Sequence, residues 1–372
     1  MKKIFAILAL ALTSIAFAQT SVSITGNIDT GFTSTNSQDN TADKNEVSSN
    51  GSSTSAVRLG VNEDLGGGLS VGFLGVHTIN TISGQTGNGA TAYQQSNLFN
   101  DEIWLGLTSK SFGSIKAGAP NSGMLETNGK ATPFGTAPGG GYNGAGINRL
   151  LGSTTTLGVN QYLGGGTANG RVIRSEKSVR YDTPVFGGFS GSLTKAALND
   201  ASTTATSNSN GFTDVTVNYS QGPLNVAYSN AKAEAGANVA QGNNASGALT
   251  ANSSVAYQFL AANYTIGPVT AYYGQTTGKT DNLSGGDKDV KSQNVALKYA
   301  VSGNLDLLVN FVKVEDKAAT GAKDQELQAI GAIYKLSKRT STYATYQKYD
   351  TDKSSSTAGE VDQYIVGLRH QF

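Results

Sequence analysis

Cysteine is absent from all 372 residues, which removes disulfides, thiolate nucleophiles and cysteine-based metal sites together. Only two histidines occur, His77 and His370, so hydrolysis that relies on an imidazole base has few candidates. Charged residues make up 14% of the chain, against about 25% in an ordinary globular protein. A net charge of +1 without clustered Lys/Arg gives no footprint for a nucleic-acid partner. Beyond the N-terminal segment there is no apolar run of about 18 residues, which excludes transmembrane helices. What the chain does have is glycine, 47 residues of it, together with 16 tyrosines.

The N-terminus reads as a secretory signal. Lys2 and Lys3 form a short basic region, Ile4 to Leu12 an apolar core, and Ala16-Phe17-Ala18 a small-x-small cleavage site. Residues 1–18 are therefore expected to be a signal peptide and residues 19–372 the mature domain. No cysteine follows the cleavage site, so no lipoprotein anchor is expected.

Alternation dominates the mature chain. Val22, Ile24, Ile28 and Phe32 share one parity, while Ser23, Thr25, Asn27 and Asp29 take the other. Val215, Val217 and Tyr219 oppose Thr216 and Asn218; Val295, Leu297 and Tyr299 oppose Asn294, Ala296 and Lys298. At the C-terminus Tyr364, Val366, Leu368, His370 and Phe372 line one face, and the chain stops on the aromatic. Apolar-out, polar-in strands of this kind suit a membrane barrel, whose last strand pairs with its first and presents an aromatic girdle to lipid.

Short connections rich in Gly, Pro, Asn or Ser fall at 64–68, 109–113, 183–187, 221–223, 266–268, 301–304 and 337–340. Longer polar stretches alternate with them near 34–54, 80–97, 120–173, 197–210, 233–252, 278–288, 316–324 and 350–360. Seven short turns and eight long loops require sixteen strands, an all-β, antiparallel transmembrane β-barrel wide enough to enclose water. The third loop, 120–173, is the longest and glycine-rich, which suits a constriction folded into the lumen.

The residues also carry a resemblance. Asn62-Glu63-Asp64-Leu65-Gly66-Gly67-Gly68-Leu69, Leu98-Phe99-Asn100, Ser178-Val179-Arg180-Tyr181-Asp182-Thr183-Pro184, Tyr334 to Thr340 and Val366 to Phe372 resemble the general porins of Gram-negative bacteria, of the beta-proteobacterial trimeric branch. The resemblance implies an outer-membrane channel for passive passage of ions and small hydrophilic solutes. It also implies a homotrimer, an inward third loop, a basic strip on the wall facing loop acids, contact with outer-membrane lipids, and recognition by the barrel assembly machinery through Phe372.

Parity then selects wall residues: Arg58, Lys116, Arg180 and Arg369 fall on the polar face, Arg174 shares parity with Arg180, and Glu126 is the sole carboxylate between Glu102 and Glu176. An arginine facing lipid near the midplane would cost about 2–4 kcal/mol. These six are the expected pore-lining and constriction residues. Where the family often places arginines, this chain has Asp101 and Ala119, which tempers the expected anion preference to a weak one. A substrate-specific channel on the same barrel is the alternative; it would need inward aromatic ladders, for which Trp104 and Tyr272 are scattered candidates. No catalytic residue, cofactor or metal site is expected.

Overall fold

The computed structural model describes residues 20–37, 43–49, 51–83, 98–135, 174–175, 177–196, 211–234, 254–281, 289–317, 324–351 and 360–372. The expected signal peptide and most of the third loop lie outside these residues. Seventeen strands and one helix are described: β1 Thr20–Ser37, β2 Lys44–Ser49, β3 Ala56–Gly66, β4 Leu69–Thr78, β5 Ile103–Ser109, β6 Gly113–Ala119, α1 Gly123–Ala131, β7 Ser178–Asp182 and β8 Phe189–Ala196. The chain continues with β9 Gly211–Gln221, β10 Leu224–Glu234, β11 Ser254–Ile266, β12 Val269–Asp281, β13 Asp289–Ala300, β14 Leu305–Asp316, β15 Gln325–Lys335, β16 Thr340–Thr351 and β17 Glu360–Gln371.

Every paired strand runs antiparallel to its neighbour, and β17 returns to β1, with Asn27 opposite Gln371 and Ser37 opposite Val361. β2 and β3 both pair with β1, β2 along its upper part and β3 along its lower part. They are two segments of one interrupted stave, so the closed barrel has sixteen staves, the number required by the alternation of turns and loops. Closure also satisfies the edge hydrogen bonds that an open sheet would leave exposed to hydrocarbon.

All seven short turns form where the Gly, Pro and Ser clusters lie. At Gly222-Pro223 and Gly267-Pro268 the glycine occupies the first central position with φ of +58° and +54°, as a primed hairpin turn demands, and the following proline holds the second residue near −65°.

The outward face is apolar and exposed, with Val215, Val217, Leu297, Ile330, Val366 and Leu368 among its members. Aromatic side chains bound this band at two levels. Phe189, Tyr264, Tyr299, Tyr334 and Phe372 mark the short-turn end, and Phe32, Tyr228, Phe311 and Tyr364 the long-loop end, the arrangement that two water–lipid interfaces favour.

One element departs from expectation. The first part of the third loop is a helix, α1, where the sequence reading expected only a long glycine-rich loop. Thr132, extended at φ −150° before Pro133, ends it. Met124, Thr127, Asn128 and Ala131 are buried, and the helix packs inside the barrel against β9 to β12.

Candidate functional site

The wall holds α1 through its termini. Ser122 at the N-cap makes no side-chain cap bond; Asp214 of β9 takes that role, accepting from the Gly123 N–H at 2.9 Å. At the other end Asn263 and Asn294 donate side-chain N–H groups to the carbonyls of Lys130 at 3.2 Å and Ala131 at 2.7 Å. A carboxylate at the helix N-terminus and amide donors at its C-terminus match both the unpaired backbone groups and the helix dipole. Mid-helix, the Thr127 hydroxyl lies 2.6 Å from that of Ser229. Gly274 leaves the notch that receives Ala131; a Cβ there would overlap Asn294 and come within 2.9 Å of Ala131.

Docking in this way aims Glu126 at the facing wall. Its carboxylate, 46% exposed, meets the Arg180 guanidinium at 2.7 Å. Arg180, 5% exposed, also binds Asp182 at 2.6 Å and donates to the Asn121 carbonyl at 2.6 Å. Asp182 is shared with Lys116 at 3.0 Å and accepts from Ser114 at 3.1 Å. The Lys116 ammonium in turn stands 5.2 Å from the centre of the Trp104 ring, a cation–π distance.

Arg174 lies beside this group rather than within β7: it forms a bridge with Asn121, ion-pairs with Asp101, and donates to the Asn121 side-chain carbonyl at 2.9 and 2.6 Å. Asn121 and Glu102 link the two clusters, since Glu102 accepts from the Asn121 N–H and side-chain amide and from the Trp104 indole.

The structure thus brings four of the six expected residues into one network: Lys116 on β6, Arg180 on β7, Glu126 on α1, and Arg174 just before β7. Arg58 and Arg369 are elsewhere. Arg58 on β3 donates to Asn27 at 3.0 Å, and Arg369 on β17 lies opposite Asp29 of β1. Both are at the closing seam. Asp101, in a position where the resemblance implies arginine, neutralises Arg174. Lys130 donates to Asn218 at 2.9 Å; burial holds its ammonium below the ordinary lysine range, with Glu126 pulling it back up.

Several participants escaped the sequence reading, among them Asn121, Asp214, Asn263 and Asn294. Asn121 carries no charge and sits next to a proline, and Asp214 and Asn294 look like any other inward polar residue. Only the position of α1 distinguishes them. Among the described residues no cluster of His, Asp or Glu could hold a metal ion.

Residues 5–354 match the profile of the family described as Gram-negative porin. The chain is 27% identical to outer membrane porin protein 32 of Delftia acidovorans, with 100% of this chain and 99% of that protein covered. It is also 27% identical to an outer membrane porin protein of Bordetella pertussis, covering 83% of this chain and 80% of the other. Among solved structures, an anion-selective porin from Comamonas acidovorans superposes with a TM-score of 0.74 at 21% identity, covering 95% of this chain and 100% of that one.

Proposed function

The chain belongs to the Gram-negative porin family, and from that premise we propose a homotrimeric channel, weakly anion-preferring, whose constriction is set by α1 and the Arg180 network. As a family member it is an outer-membrane general diffusion porin, passing ions and small hydrophilic solutes through a water-filled barrel. Residues 1–18 serve as the export signal and are removed. Residues 120–173 form the constriction loop, with Lys116, Arg174, Arg180 and Glu126 at the narrowest part and Arg58 and Arg369 on the wall.

One observation carries the selectivity reading: Asp101, Glu126 and Asp182 are tied to cations, whereas Arg58 and Lys130 have neutral partners. Asp182 serves Arg180 and Lys116, Glu126 serves Arg180, and Asp101 serves Arg174. Arg58 and Lys130 bind amide oxygens of Asn27 and Asn218. Glu102 and Asp214 also have neutral partners, so the fixed charges around α1 nearly balance and the preference they leave for mobile ions is weak. The anion-selective relative from Comamonas acidovorans supports its sign.

Trimer formation is supported by the uneven wall. β5 and β6 have 7 residues each and β7 only 5, against 13 in β11 and β12. Seven residues tilted at about 45° span only roughly 16 Å, short of the ~25 Å apolar band. Neighbouring copies would cover the low side, and lipid the high side. Phe372, at the lower aromatic level and hydrogen-bonded through its backbone to Gly26, is the segment offered to the barrel assembly machinery.

No catalysis belongs to this reading. His77 faces outward with Nδ1 2.5 Å from the Leu98 carbonyl oxygen, and His370 faces outward beside Thr340. A substrate-specific channel is not favoured either, since Trp104 lies under Lys116 and Tyr272 is on the opposite wall. The test is solute flux into liposomes: sugars of increasing size should enter at rates set by size alone, and saturable uptake of one sugar would replace the general reading with the specific one.

A further inference from the structure

Between β2 and β3 the stave is broken, and residues 51–55 leave the wall. Their backbone turns to the lumen side of β1, because the groups they bind are on inward parity. Asp29, fully buried, accepts from the N–H groups of Gly51 at 3.1 Å, Ser52 at 3.0 Å and Ser53 at 2.8 Å. Three successive N–H groups around one carboxylate form an anion nest made by the chain for its own side chain. The Tyr343 phenol adds a fourth bond at 2.6 Å. To reach Asp29 from β16 its ring crosses Gly367 of β17 and approaches Gly31 of β1, where a Cβ would stand against the phenol oxygen. Asn27 completes the seat, donating to the Ser53 hydroxyl at 2.9 Å and the Thr54 carbonyl at 2.6 Å.

The place of this bend in the barrel matters. Counting β2 and β3 as one stave, β10 is the ninth of sixteen from β1, so β1 lies diametrically across from the wall that carries α1. We propose that residues 51–55 are a second constriction element, narrowing the lumen from the side opposite α1, and that Asp29 is the residue that positions it. The bend contributes Ser52 and Ser53 to the passage, flanked by Arg58 and Arg369. Asp29 lies opposite Arg369 and offsets part of its charge, whereas Arg58, bound to the neutral Asn27, keeps its field for passing solutes. The slot between α1 and the bend therefore suits small polar or anionic solutes. This inference rests on the channel reading above, whose failure would show first as absent conductance in the unsubstituted protein.

Because the chain has no cysteine, Ser52→Cys places a single thiol in the bend. Heat-modifiable trimers of this variant, in a planar bilayer, should lose conductance when a charged methanethiosulfonate is added and regain it with a reductant. Asp29→Ala and Gly51→Val, the second leaving charge unchanged, should each enlarge the conductance step by releasing the bend. The proposal is overturned if the thiol reacts without altering current, if it fails to react from either side, or if both release variants fold as trimers and keep the parent conductance.

Discussion

Glu126→Gln isolates the electrostatic contribution of α1. The substitution removes one negative charge while keeping the size of the side chain, and Arg180 retains Asp182 at 2.6 Å, so the wall is not left with an orphaned guanidinium. Glu126 is 46% exposed and faces the water that ions cross. A unit charge about 5 Å from the ion path contributes roughly 0.8 kcal/mol in water, or ~0.5 kcal/mol after screening at 0.1 M salt. The effect has opposite signs for the two ions, so their occupancy ratio changes by twice that energy, about fivefold. At 1 M salt the Debye length falls to about 3 Å and the change shrinks below about twofold. Reversal potentials under KCl gradients at low and high ionic strength measure this ratio directly. The variant should shift toward anions at low salt and converge on the parent at high salt. An unchanged reversal potential at low salt, or a shift toward cations, would refute the placement of Glu126 beside the ion path.

Other consequences follow from the docking of α1. Asp214→Ala removes the acceptor of the Gly123 N–H, worth about 1 kcal/mol for a helix cap; open-channel noise should rise while the heat-modifiable gel shift is kept. Gly274→Val places side-chain atoms where Asn294 and Ala131 lie, so it should displace the helix C-terminus and change conductance more than Gly303→Val, in a turn with open space. Lys130 has a depressed pKa, burial being the main cause, so it loses its proton before an ordinary lysine does. As pH rises toward about 10.4, the unperturbed lysine value, anion preference should decline early, and Lys130→Arg should abolish that early decline. By linkage, the depressed pKa adds stability above the unfolded value that is lost as pH falls through the folded one. Arg180→Ala leaves Asp182 with Lys116 alone and Glu126, 46% exposed, to water; the cost should stay below the ~3–5 kcal/mol of breaking a fully buried pair, and the trimer's thermal midpoint in detergent should fall modestly.

Much of the barrel could be read from local pattern because a membrane wall imposes local rules. Val215 and Val217 must face lipid and Thr216 must not, whatever the rest of the chain does, and Gly222-Pro223 makes a turn by its own geometry. The constriction follows other rules. α1 contains Gly123, Thr127, Asn128 and Gly129, none of them strong helix formers, and it is held by Asp214, Asn263 and Asn294, which are far away in sequence. The bend at residues 51–55 likewise depends on Asp29 and Tyr343, 314 positions apart. Arg180 and Lys116 were accessible through parity. Their sharing of Asp182 was not, because parity assigns a face and not a partner. Arg58 and Arg369 share the face of Arg180 yet lie at the seam, since parity is also silent on position around the circumference.

The most direct test of the central claim is the current carried by purified trimers in a planar bilayer under a KCl gradient. Stable ohmic steps with a small reversal potential on the anion side are the predicted result. Correctly folded trimers that pass no current, or a reversal potential close to the cation limit, would contradict it.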